Sequence, residues 1–234
     1  MSQLYSNPEE RRVQPQPIVS KLEAVRFNSI SQTQQNISFD WAENIALTPT
    51  QTIRSVAEDI LLCAIEISKN LIAVGSKDGL INIYDTTTTQ KIVTLKGHKA
   101  GICKMAMVTN NGKTYLASGS DRGCSSIVLW DIGSWNMRIK ISGHSGAVTS
   151  ILDLHDNRSL ISGSYDKTIN VYNLNNEGKI LYSLPVNKTQ VTNILMNSNG
   201  TKLVSCGLDN SLSVWKVIRN SGHVVETIFL ERII

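Results

Sequence analysis

Four stretches of this chain are variants of one another: LIAVGSKDGLINIYD (71–85), YLASGSDRGCSSIVLWD (115–131), SLISGSYDKTINVYN (159–173) and KLVSCGLDNSLSVWK (202–216). Each holds an apolar run, a turn with an aspartate, and an alternating run that ends near an aromatic ring. The rings of Tyr84, Trp130, Tyr172 and Trp215 are spaced 46, 42 and 43 residues apart. The turn residues Asp78, Asp121, Asp166 and Asp209 are spaced 43, 45 and 43. Two independent landmarks that keep one period define a repeated supersecondary unit.

Outward from these stretches, every unit gains a strand on each side. An apolar run precedes it: Ile60 to Ile65, Ile102 to Met107, Val148 to Leu152 and Val191 to Met196. Polar turns such as Asn197-Ser198-Asn199-Gly200 separate that run from the next, and a closing run follows at Lys91 to Leu95 or Lys179 to Leu184. Period-two alternation between Asn, Gly and Asp turns is the signature of short antiparallel strands. No face with a 3.6-residue period lies between them, which excludes βαβ folds. Four strands in about 40–45 residues is the register of a propeller blade. The expected fold is therefore all-β, with about four antiparallel four-stranded blades over 58–95, 101–141, 147–184 and 190–230.

Three dipeptides add a family likeness. Gly97-His98 and Gly143-His144 each fall 13 residues after the preceding strand-end aromatic, and Trp130 is followed by Asp131. Recurring in register over roughly residues 50–234, these features resemble the WD-repeat (tryptophan-aspartate repeat) β-propeller family. The resemblance implies a buried hydrogen-bonded set in each blade. The second blade would supply His98, Ser118, Asp121 and Trp130, and the third His144, Ser162 and Asp166, with Tyr172 replacing tryptophan. The fourth keeps Ser205, Asp209 and Trp215 but has Leu184-Pro185 near the expected Gly-His position. The first lacks Gly-His and carries Val74 in place of the serine. Asp121 stands nine residues before its ring, against six in the other units, so the turn at 121–126 carries extra residues. A buried imidazole and a buried carboxylate are each costly alone and tolerable when bonded to one another. Ser, His and Asp could also suggest a hydrolase triad, but a triad needs an exposed nucleophile beside an oxyanion site and does not recur blade by blade.

The ends raise the question of closure. Residues 1–45 read as a largely disordered arm or a degenerate partial blade, with Ile37 to Trp41 as a worn strand. Thr50 to Val56 parallels Gln90 to Leu95 and reads as an outer strand; the resemblance implies that such a strand completes the last blade. Propellers generally have four to eight blades, and about seven is usual in this family. Four recognisable units therefore predict an incomplete or open ring, either part of a longer protein or completed by another propeller chain or a second copy; the remaining reading is a small closed ring of four blades.

Composition narrows the function. Net charge is +4, from 23 basic and 19 acidic residues, with no run of four or more Lys/Arg to mark a nucleic-acid stripe. No signal peptide or uninterrupted membrane span is evident, so an intracellular setting, cytoplasmic or nuclear, is expected. Cys63, Cys103, Cys124 and Cys206 form no CxxC pair and read as reduced, mostly buried small hydrophobes. No catalytic constellation, metal set or cofactor motif emerges, and His155 and His223 are lone histidines, His223 in a surface-loop Gly222-His223 pair. The turns and Gly-His loops fall on one end of the blades, where Lys77, Lys99, Arg122, Tyr165 and Leu208 should face outward. Such a mixture suits a protein or peptide partner. The expectation is a non-catalytic interaction scaffold. The alternatives are a subunit of an RNA-processing complex, which the charge permits without arguing for it, or a substrate adaptor of a ubiquitin ligase, which no preceding helical domain supports.

Overall fold

The chain divides into two compact units, Met1–Pro49 and Thr50–Ile234. A computed structural model describes residues 59–185, 189–220 and 227–232, all in the second unit. The expectations for residues 1–45, for Thr50 to Val56 and for Gly222-His223 lie outside the described residues.

Among the described residues sixteen strands form four antiparallel sheets of four, each a simple meander of consecutive strands. Blade 1 holds β1 (Leu61–Ser68), β2 (Leu71–Ser76), β3 (Leu80–Asp85) and β4 (Lys91–Lys96). Blade 2 holds β5 (Ile102–Asn110), β6 (Lys113–Ser120), β7 (Ile127–Asp131) and β8 (Met137–Ile141). Blade 3 holds β9 (Val148–Asp153), β10 (Ser159–Ser164), β11 (Thr168–Asn173) and β12 (Lys179–Pro185), with one 3-10 turn at Leu174–Asn176. Blade 4 holds β13 (Val191–Met196), β14 (Lys202–Gly207), β15 (Leu212–Asn220) and β16 (Thr227–Arg232). The outer strand of blade 4, β16, lies downstream of Trp215.

Local chemistry sets the hairpins between the second and third strands. The Asp78 carboxylate accepts from the Leu80 amide at 3.0 Å and from the Ser76 hydroxyl, closing the turn from its side chain. The next residue must be left-handed, and Gly79, Lys167 and Asn210 occupy that position in blades 1, 3 and 4 with φ of 84°, 76° and 60°. Glycine meets this at no steric cost, asparagine at little. The longer turn of blade 2 places Gly123 and Ser125 there instead.

Because side chains alternate across a strand, each blade has two apolar faces, and consecutive blades bury them against each other. The face of blade 1 that holds Ala73, Ile81, Ile83 and Leu95 packs on Met105, Leu116, Val128 and Trp130 of blade 2. Ala117, Ile127 and Leu129 of blade 2 meet Ile151, Leu160 and Tyr172 of blade 3. Ile161, Ile169 and Val171 of blade 3 meet Ile194, Leu203 and Trp215 of blade 4. One glycine per junction makes this possible. A Cβ on Gly75, Gly119 or Gly163 would lie 2.8, 2.6 or 2.9 Å from Ile102, Val148 or Val191 of the next blade. Among the described residues these three cores join blades 1 to 2, 2 to 3 and 3 to 4, and no fourth core joins blade 4 to blade 1. The arc is open.

Candidate functional site

One backbone bond recurs in all four blades and defines the rim. Lys77, Asp121, Tyr165 and Leu208 each donate an amide to the residue ahead of the inner strand: to Ile60, Gly101, Ala147 and Gln190, at 2.8–3.1 Å. These four residues therefore occupy equivalent positions. The next position holds Asp78, Arg122, Asp166 and Asp209. Asp121 stands one residue too early to match the other aspartates, a shift concealed by the extra residues in its turn.

Blade 3 contains the fullest polar set. His144 Nε2 bonds to Ser162 Oγ at 2.7 Å, and its Nδ1 lies 2.8 Å from Asp166 Oδ2. The Ser145 amide donates to the same carboxylate oxygen at 2.9 Å, while the Thr168 amide and hydroxyl donate to the other at 2.9 and 2.6 Å. Burial alone would raise the Asp166 carboxyl. Hydrogen bonds from His144 and Thr168, with the imidazole beside it, hold it instead well below the usual carboxylate range. Tyr172 meets the imidazole edge-on at 6.3 Å between centroids, and its hydroxyl accepts from Asn170 at 3.1 Å. Gly143 is required because a Cβ there would lie 2.7 Å from Ile180 and 3.2 Å from the Tyr172 hydroxyl.

Blade 2 satisfies its histidine differently. His98 Nε2 bonds to Ser118 Oγ at 2.7 Å, and Trp130 Nε1 donates to the same oxygen at 2.8 Å. The other imidazole nitrogen faces Ser126 Oγ at 3.4 Å, which in turn lies 3.0 Å from Cys124 Sγ. The Asp121 carboxylate accepts from the Arg122 amide at 2.6 Å and takes no part in this group. Burial, reinforced by the charge of Lys140, pushes His98 down to about 4. Ser126 is the residue that sequence reading missed. Its signal was the enlarged turn itself, since displacing the aspartate obliges another polar side chain to meet the imidazole.

Among the described residues blade 4 retains the tryptophan pair, with Trp215 Nε1 donating to Ser205 Oγ at 2.9 Å. Asp209 is exposed and accepts from the Ser211 amide at 3.1 Å, closing its own turn. Its carboxyl is lowered chiefly by the neighbouring Ser211.

Above these groups lies the rim surface. Lys77, Lys99, Arg122 and Leu208 are exposed, and Tyr165 is half-buried. The Arg122 guanidinium sits over the Tyr165 ring at 5.6 Å, so blades 2 and 3 meet there in a cation–π pair. Among the described residues no group of three His, Cys, Asp or Glu could hold a metal ion, and the four cysteines are free and half-buried. No helix among the described residues is long and apolar enough to cross a membrane.

Comparison with known proteins matches this architecture. The sequence pattern of the family described as WD domain, G-beta repeat matches residues 89–131, 135–173 and 178–216. Each match begins at or just before the outer strand of one blade and runs through three strands of the next, so the sequence repeat staples neighbouring blades together. The chain is similar to Autophagy-related protein 16 of Arabidopsis thaliana, 24% identical over 65% of this chain and 29% of that protein. It is 28% identical to the U5 small nuclear ribonucleoprotein 40 kDa protein of Dictyostelium discoideum, over 73% of this chain and 46% of that one. It is 27% identical to the nuclear distribution protein nudF of Aspergillus niger, over 82% of this chain and 43% of that one. The match thus spans less than half the length of each of these relatives. The crystal structure of the computationally designed Ika4 protein superposes with a TM-score of 0.58 at 24% identity, covering 68% of this chain and 92% of that one, which is a likeness of fold. By its repeats and by the blades they build, the chain belongs to the WD domain, G-beta repeat family.

Proposed function

We propose that the chain is a non-catalytic, intracellular interaction scaffold that binds a protein or peptide on the rim formed by Lys77, Lys99, Arg122, Tyr165 and Leu208. WD-repeat proteins are generally interaction scaffolds or adaptors in complexes, and the family is generally non-catalytic. The observation that carries the reading is the Arg122–Tyr165 pair, an arginine and an aromatic ring held together across a blade junction. Arg and Tyr are the side chains that most often anchor interfaces, and a pre-stacked pair loses little freedom on binding. The one Ser–His–Asp set beneath it, in blade 3, ties buried Ser162 and His144 to Asp166, which supports a structural role for it.

Affinity purification from cells, with the natural chain and an Arg122→Ala/Tyr165→Ala variant side by side, tests the proposal. Proteins recovered with the natural chain should be lost or strongly reduced with the variant. An unchanged set of partners, or turnover of a small substrate without any stable partner, would count against it. A second reading, as a subunit of an RNA-associated complex, draws on the relative named for a ribonucleoprotein and on the exposed rim cations. It predicts an RNA mobility shift that weakens steeply with salt.

A further inference from the structure

The rim is polarised along the arc. Towards blades 1 and 2 it presents Lys77, Lys99 and Arg122, all three exposed. Towards blades 3 and 4 it presents the half-buried Tyr165 ring and Leu208, which is 56% exposed. The cationic segments adjoin one another. A Cβ on Gly101 would lie 3.1 Å from the Lys77 Cα, so the loop that carries Lys99 rests against the turn of blade 1. The Gly101 carbonyl accepts from the Asp121 amide at 2.8 Å, which seats the turn of Arg122 on the same loop. The Arg122 guanidinium then reaches the Tyr165 ring of blade 3.

Two further cations belong to this end of the blades. Lys140 of β8 is exposed and pairs in register with Val128, and its charge acts on both His98 and Cys124 at the enlarged turn. Lys167 is exposed in the turn that follows Tyr165. The enlarged turn itself exchanges a carboxylate for a cation, since Arg122 stands where the other blades have aspartate. None of these five cations forms an ion pair with a carboxylate among the described residues. The carboxylates of the rim are otherwise engaged. Asp78 and Asp209 close their own turns, Asp121 accepts from the Arg122 amide, and Asp166 is held in the histidine set. The ion pairs that lysine and arginine do make, Lys113 with Asp131 and Arg158 with Asp156, lie at the opposite end of the blades.

We propose, resting on the reading of the rim as a binding surface, that its partner is an acidic peptide. Aspartate or glutamate side chains lie across Lys77, Lys99, Arg122 and Lys140, and an adjoining apolar side chain packs on Tyr165 and Leu208. A guanidinium without an ion-pair partner offers a carboxylate two parallel donors, and unpaired lysines beside it steer an oppositely charged chain to the surface. Leu208 adds apolar area with neither charge nor hydrogen bond, which suits an aliphatic or aromatic residue of the same peptide. The face of Tyr165 that lies under Arg122 is not free for a nucleobase to stack, which favours a peptide over a nucleic acid.

Selection from a random peptide library displayed on phage, with the whole chain as bait, tests this. Enriched sequences should carry several aspartates or glutamates beside an aliphatic or aromatic residue. A fluorescent synthetic peptide of the most enriched sequence should bind more weakly as salt is added. It should lose about tenfold or more in affinity with a Lys77→Glu/Lys99→Glu/Lys140→Glu chain, which leaves the Arg122–Tyr165 pair in place. A Lys69→Glu/Lys91→Glu/Lys179→Glu chain carries the same charge change on exposed residues at the opposite end and should bind as the natural chain does. Circular dichroism checks that both variants are folded. No enrichment, enrichment of neutral or basic sequences, equal losses in the two variants, or tighter binding of oligouridine than of the peptide would each overturn the proposal. Neutral peptides that still depend on Arg122 and Tyr165 would overturn it while leaving the rim as the binding surface, so the two readings fail separately.

Discussion

Blades 2 and 3 share a backbone and bury a histidine at the same place, yet they satisfy it by different chemistry. In blade 3 the imidazole lies between a serine and a carboxylate that three further donors hold in place. In blade 2 it lies between two serines, and the tryptophan of the strand shares one of them. The difference teaches that the fold requires a hydrogen-bond partner on each ring nitrogen and does not require a charge. A carboxylate that receives enough donors can be kept ionised in the interior, and a hydroxyl serves where the turn has moved the carboxylate away.

The comparison can be broken most severely at its large ring. Trp130→Ala should destabilise the protein by about 3–5 kcal/mol, since it empties a buried site and leaves Ser118 short of a donor. Urea unfolding followed by circular dichroism would show this, and a loss below about 1 kcal/mol would mean that the junction of blades 1 and 2 collapses around the gap.

Acid should separate the two blades next. His98 is depressed to about 4, so the unfolded chain takes up its proton first as pH falls from its ordinary value of 6.5. Its contribution is present above pH 6.5 and is lost between 6.5 and about 4, on the order of 3 kcal/mol. Asp166 has a lowered folded value, so its contribution is present above the usual carboxylate range and lost only as pH falls below that range. Unfolding midpoints should therefore drop between pH 6.5 and 4, and His98→Gln should flatten that portion of the profile.

Removing the histidine of blade 3 is the third test. His144→Ala should cost about 1–3 kcal/mol, because Asp166 loses one partner and keeps those from Ser145 and Thr168. An unchanged melting temperature would show that the remaining donors carry the carboxylate unaided. The smallest effect belongs to Ser126→Ala, about 0.5–1.5 kcal/mol, because its contact with His98 at 3.4 Å is the longest in the set. Hydrogen exchange in β7, next to Ser126, would report it more sensitively than global unfolding.

Much of the blade architecture was legible because strand alternation and turn chemistry are local. The two Gly-His pairs were legible because each falls 13 residues after the preceding strand-end aromatic; in the fold Gly97 yields space to Trp130, and Gly143 to Ile180 and Tyr172. Asp121 was less legible. Its spacing of 43 residues from Asp78 is as regular as any in the chain, yet one residue of displacement places it level with Tyr165 and brings Arg122 into the aspartate position. No periodicity reveals which of two adjacent turn residues faces inward, because an extra residue changes direction without changing the average period.

The sequence by itself determined that the repeats build about four blades of four short antiparallel strands each. It did so because period-two alternation assigns a side chain to one face or the other wherever that face is buried. Only the tertiary structure decided that Ser126 faces His98, that Arg122 lies over Tyr165, and that the outer strand of blade 4 comes from downstream. It also decided that Leu195 and Leu212 stand exposed while their counterparts at the internal junctions pack against the next blade. Each of these contacts joins residues from separate turns or blades, and their distance is set by how whole sheets pack rather than by any preference of the residues themselves.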